Sequence, residues 1–106
     1  MEIAHYTLEE VLAAMDKGAL LVDARGPQSF AKGHIPGAVN IPCNSDVGFD
    51  ALPEDRSVPV IFYCGGPRCP ASAKAAKKAM DLGHTTVGEF KAGYPAWVAS
   101  QGDAAK

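Results

Sequence analysis

Four uncharged residues, Val60-Ile61-Phe62-Tyr63, constrain the fold of this chain more than any other stretch. Branched and aromatic side chains in an unbroken run describe a strand covered on both faces, the kind found in sheets packed between helices. Pro59 must lie at its start, because a proline further in would remove a ladder donor. The run ends on Cys64, turns through Gly65-Gly66-Pro67, and leads into an alanine-rich segment of helical composition. A buried strand, a cysteine, a turn of accessible amides and a helix start follow one another here. Helix-end N–H groups and the helix dipole favour negative charge at such a place. They can lower a cysteine pKa below about 8.5.

The rest of the chain reads as scaffolding for that unit. The opening residues 2–6 suit a short edge strand, and Thr7 stands three before Glu10 at capping-box spacing. Leu8, Val11, Leu12 and Met15 then recur at helical spacing, giving an amphipathic helix over 8–15 that ends at Gly18. Residues 19–22 form a short apolar strand that breaks into Asp23-Ala24-Arg25-Gly26-Pro27. Pro27 fits the first turn of a brief helix reaching Lys32. Gly33-His34-Ile35-Pro36-Gly37 is irregular, and 38–41 resume as a strand closed by Pro42. Phe49, Ala51 and Leu52 suit a turn of helix held to the core, and 53–56 an exposed connection.

From Pro70 to Leu82, Ala71, Ala75, Ala79 and Leu82 share one helix face, while Lys74, Lys77, Lys78 and Asp81 share another. Gly83 ends that helix, Thr85-Thr86-Val87 makes a last strand, 88–93 a loop, and 94–99 a final turn or two of helix carrying Trp97. Short strands alternating with helices imply crossover connections and a largely parallel sheet, hence an α/β fold. At 106 residues, with no internal repeat or linker, the chain reads as one domain spanning 1–106.

Ten basic against twelve acidic residues provide no basic stripe for nucleic acid. No apolar run approaches the roughly 18 residues of a membrane span, and no signal pattern opens the sequence, so the expected location is cytoplasmic. Three cysteines, Cys43, Cys64 and Cys69, argue against a secreted disulfide framework and leave room for a reactive thiol. They fit zinc poorly, since no second pair at ligand spacing follows Cys64 and Cys69.

Cys64 is the candidate nucleophile because the C-terminal ends of strands in parallel sheets are where ligands bind. Gly65 and Gly66 let main-chain amides face an anion with no Cβ in the way. Arg68 suits an anionic substrate. Cys69 suits a resolving thiol or a sulfur acceptor, provided the turn brings the sulfurs together. Asp23, Arg25 and His34 read as loop-fixing residues rather than catalytic ones. Trp97 and Phe90 read as core, and Cys43 has no evident partner.

Asp23-Ala24-Arg25, then Gly33-His34-Ile35-Pro36-Gly37-Ala38-Val39-Asn40-Ile41-Pro42, then Tyr63-Cys64 entering a glycine loop, and Ala92-Gly93-Tyr94-Pro95-Ala96-Trp97 stand in an informative order. Together they resemble the rhodanese homology domain over nearly the whole chain. The resemblance implies a rhodanese-like fold, a five-stranded mostly parallel sheet flanked by helices, with no cofactor and no metal. It implies a single-domain sulfurtransferase of the thiosulfate sulfurtransferase type. A sulfane sulfur would move from a small sulfur-containing anion such as thiosulfate, or from a persulfide donor, through a Cys64 persulfide. The acceptor would be a thiol or cyanide, and Gly65, Gly66, Arg68 and Cys69 would line the substrate position. Neither nucleic acid nor membrane is an implied partner.

The chain departs from the family pattern in three places. Its loop is about two residues longer if Ser72 is the helix-starting serine, Cys69 is an extra thiol, and Ala92-Gly93 stands where a Gly-Gly pair is common. One alternative is a thiol redox switch or non-catalytic sulfur-binding module using Cys64 and Cys69. A phosphatase or arsenate reductase is weaker, because Arg68 comes two residues too early for the cysteine, five residues, arginine signature.

Overall fold

The computed structural model describes residues 3–43, 49, 52–66 and 68–101. Glu2, Ala51, Pro67 and the tail at 102–106, which the sequence reading also touched, lie outside the described residues. Nine elements follow in chain order: β1 (Ala4–His5), α1 (Leu8–Asp16), β2 (Leu20–Asp23), α2 (Pro27–Lys32), β3 (Val39–Asn40), β4 (Val60–Tyr63), α3 (Ala71–Asp81), β5 (Val87–Phe90) and α4 (Gly93–Gln101). The strands form one sheet in the order β1-β5-β4-β2-β3, and all its pairings are parallel.

The uncharged run lies in the middle of that sheet. Leu21 pairs with Ile61 and Val22 with Phe62 on one side of β4, while Gly88 and Glu89 pair with the same two residues on the other. Strand alternation sends the side chains to opposite faces. Val60 and Phe62 join Val22, Ile41, Phe49 and Leu52 in a core closed by Ala75, Ala76 and Ala79 of α3. Ile61 and Tyr63 join Val11, Leu21, Ile35 and Phe90 in a second core, covered by side chains of α1 and α4 that include Met15 and Trp97. The alanines of α3 let that helix lie close against the sheet. α1 begins where the capping box placed it: Thr7 N donates to Glu10 Oε1 at 2.9 Å, and Glu10 N donates to Thr7 Oγ1 at 3.2 Å.

Three features differ from the sequence expectation. Leu82 is 46% exposed rather than part of the buried α3 face. It caps the helix, and its carbonyl accepts a bond from Arg56 Nε at 3.1 Å. The last strand is Val87–Phe90, not 85–87. Glu89 is tolerated inside it because Ser72 Oγ of α3 donates to Glu89 Oε2 at 2.7 Å, and His5 Nε2 lies 3.5 Å from its other oxygen. Gly88 is required there, since a Cβ would overlap the Tyr6 ring. α4 is also longer than a turn or two, running from Gly93 to Gln101. Among the described residues no helix is long and apolar enough to cross a membrane.

Candidate active site

The C-terminal ends of β2, β3 and β4 converge on one edge of the sheet, and each loop leaving it is tied down. Asp23, fully buried at the end of β2, takes Arg25 in a forked ion pair with contacts of 2.7 and 3.0 Å. The hydrogen bond to Asp23 is the main reason the Arg25 pKa stands above its ordinary value. Arg25 Nη2 also donates to the Gly33 carbonyl at 2.6 Å. Asn40 Nδ2 bridges the Asp23 and Arg25 carbonyls at 3.0 and 2.8 Å. His34 bonds the Phe30 carbonyl through Nδ1 at 2.8 Å and stacks on the Phe30 ring. The hydroxyl of buried Tyr63 accepts the Ile35 N–H at 3.1 Å. These residues fix loops, as the sequence reading of Asp23, Arg25 and His34 expects.

Cys64 follows directly on Tyr63 and is 1% exposed. Its carbonyl accepts the Tyr94 N–H at 2.9 Å, so the start of α4 clamps the cysteine backbone. Gly93 makes that approach possible. Its φ is +70°, and a Cβ there would overlap the Cys64 carbonyl oxygen and stand 2.9 Å from Gly66 N. Only glycine meets both conditions without strain. The Arg25 guanidinium lies 4.5 Å from the Tyr94 ring centre, and its Cδ would be 4.0 Å from a Cβ at Gly65, so Arg25 borders the cysteine loop.

Beyond Cys64 the chain folds back, with Cys69 N donating to the Gly66 carbonyl at 3.2 Å. The Cys64 sulfur then lies 3.5 Å from the Cys69 carbonyl oxygen and 3.8 Å from that of Gly66. α3 starts at Ala71 with Pro70 in the N-cap position, and no side chain caps it. Its first-turn N–H groups are therefore available. The Ser72 amide favours ionisation of Cys64, and the Ala71 amide that of Cys69. The glycine amides divide the same way, Gly66 toward Cys64 and Gly65 toward Cys69. The two thiols also interact with each other through their side chains.

This division reverses the simple expectation for Cys64. Burial, followed by the Cys69 side chain, raises the Cys64 pKa, and the Ser72 and Gly66 amides offset only part of that rise. Burial also opposes ionisation of half-buried Cys69, but the Cys64 thiol and the Ala71 and Gly65 amides outweigh it and lower the Cys69 pKa. The Cys64 S–H faces the carbonyl oxygens of Cys69 and Gly66.

The structure thus gathers Cys64, Gly65, Gly66 and Cys69 at one sheet edge. Arg68 is exposed on the same loop, with no hydrogen bond or ion pair to other described residues. Cys43 is free, half-buried and packed on the α3-side core. The sequence reading did not assign Ser72 and Gly93 to the site. Ser72 was legible as a helix-starting serine, whereas the need for glycine at 93 is set by chain contact with residue 64.

A rhodanese-like domain family model matches residues 7–100. The thiosulfate sulfurtransferase GlpE of Pseudomonas aeruginosa is 34% identical over 90 residues, which cover 84% of this chain and 78% of that protein. The crystal structure of the BH2092 protein from Bacillus halodurans superposes with a TM-score of 0.81 at 28% identity, covering 93% of this chain and 74% of that one. The single-domain sulfurtransferase RDL2 of Saccharomyces cerevisiae gives a TM-score of 0.79 at 25% identity, covering 100% of this chain and 97% of that one. The chain belongs to the rhodanese-like domain family.

Proposed function

We propose that this rhodanese-like domain is a sulfurtransferase that carries sulfane sulfur on Cys64. The observation that supports this reading best is the placement of the Cys64 sulfur. It lies at the C-terminal end of the central strand, beside the uncapped first turn of α3, with the Gly66 and Ser72 amides favouring its thiolate. Relatives named thiosulfate sulfurtransferase agree with it.

In the reading proposed, Cys64 gives its proton to solvent and reacts as the thiolate. That thiolate attacks the outer sulfur of thiosulfate. The sulfur–sulfur bond of the donor breaks, sulfite leaves with the electron pair, and Cys64 holds a persulfide anion. The loop amides stabilise that anion much as an oxyanion hole stabilises oxygen. Cyanide or a thiol then attacks the outer sulfur and returns Cys64 to thiolate. Arg68, exposed beside the loop, supplies positive charge for the incoming dianion.

The test is cyanide-dependent thiocyanate formation from thiosulfate, compared between wild type and Cys64→Ser. Activity is expected in the first and absent in the second. Survival of turnover in Cys64→Ser would refute the assignment.

A further inference from the structure

Sulfur transfer from thiosulfate to cyanide leaves Cys69 without a role. It is half-buried whereas Cys64 is fully buried. The turn closed by Cys69 N and the Gly66 carbonyl at 3.2 Å folds it back over the site, leaving its backbone oxygen 3.5 Å from the Cys64 sulfur. Its thiol and that of Cys64 perturb each other's ionisation, and the Gly65 and Ala71 amides favour its thiolate. A thiol so held and so supplied with donors is poised as a nucleophile toward its neighbour.

We infer that Cys69 is the resolving thiol of this loop, converting the sulfur carried on Cys64 into free hydrosulfide. The inference rests on the reading of Cys64 as the sulfur carrier. In the loaded protein the Cys69 proton passes to the outer sulfur of the persulfide. Cys69 thiolate then attacks Cys64 Sγ, a Cys64–Cys69 disulfide forms, and the bond to the outer sulfur breaks. Hydrosulfide departs with the electron pair. The outer sulfur is reduced from the sulfane to the sulfide level, and the two thiols supply both electrons as they become a disulfide. An external dithiol reduces that disulfide and resets the loop. The domain is then a sulfane-sulfur reductase as well as a transferase, and its second substrate is a dithiol.

The experiment uses the full chain in a Cys43→Ser background, so that only the two loop thiols remain, under anaerobic conditions. Reduced protein is loaded with thiosulfate, desalted, and left without cyanide or thiol. Intact mass and released hydrosulfide are then followed. The parent is expected to release one hydrosulfide per loaded chain and to finish two hydrogens lighter than its reduced form, with neither cysteine open to iodoacetamide. Cys69→Ser and Cys69→Ala are expected to hold the added sulfur at least about tenfold longer. Equal rates of sulfur loss in parent and both variants, with both cysteines still alkylated in the parent, would overturn the inference while leaving the sulfur-carrier reading intact. No sulfur uptake by any of the proteins, the parent included, would refute the carrier reading and this inference with it.

Discussion

Gly93→Ala tests how the fold holds its cysteine. At φ +70° an alanine costs about 1 kcal/mol relative to glycine from backbone sterics alone. Its Cβ would also overlap the Cys64 carbonyl oxygen and lie 2.9 Å from Gly66 N, both backbone atoms that cannot rotate away. Overpacking of that kind costs about 1–3 kcal/mol. Displacing α4 to relieve it sacrifices the Tyr94 N to Cys64 carbonyl bond at 2.9 Å, a further loss of about 1 kcal/mol. The sum is about 3–5 kcal/mol.

Gly18→Ala is the matched control. Gly18 has φ +102° with nothing within 4 Å of a Cβ, so only the backbone cost of about 1 kcal/mol applies. Urea unfolding followed by the single tryptophan, Trp97 on α4, separates the two. With an m-value of about 2 kcal/mol/M, the midpoint should fall by roughly 2 M for Gly93→Ala and about 0.5 M for Gly18→Ala. Midpoints for the two variants within about 0.3 M of each other would show that contact with the Cys64 loop carries no energy, and would refute the reasoning.

His84 has no solvent exposure, and neither ring nitrogen has a hydrogen-bond partner among the described residues; burial, then Arg56, lowers its pKa below 6.5. The folded state therefore binds fewer protons than the unfolded one. This contribution to stability is complete above pH 6.5 and is lost as pH falls through 6.5 toward the folded pKa, with a slope of at most about 1.4 kcal/mol per pH unit. His84→Phe should remove that slope and raise stability at pH 7 by about 1–2 kcal/mol, read by urea titrations between pH 7 and 5; an unchanged slope contradicts the assignment. Asp23→Ala leaves Arg25 without its carboxylate and should cost about 3–5 kcal/mol, checked by thermal unfolding; a cost below about 1 kcal/mol would mean the forked pair does not hold the loops.

Where neighbours in sequence are neighbours in space, the chain declares its structure. The β4 run, the Thr7–Glu10 box and the alanine face of α3 each depend on spacing within one element, and each forms as read. The α/β architecture and the cysteine at the strand end follow from them. The extent of β5 does not, because a buried glutamate in a strand is admissible only through Ser72, which lies 17 residues away in sequence. The opposite directions in which the two cysteine pKa values move were hidden for the same reason. A helix start beside a cysteine predicts one stabilised thiolate. Here the amides of Gly65 and Ala71 go to Cys69, those of Gly66 and Ser72 to Cys64, and burial decides between the two sulfurs.

The central claim is that Cys64 carries the sulfur. Intact mass of the reduced protein after brief incubation with thiosulfate, followed by peptide mapping, tests it most directly. The expected product is a species heavier by one sulfur atom, mapped to Cys64 and absent from Cys64→Ser. Added sulfur located on Cys43, or retained in Cys64→Ser, would contradict it.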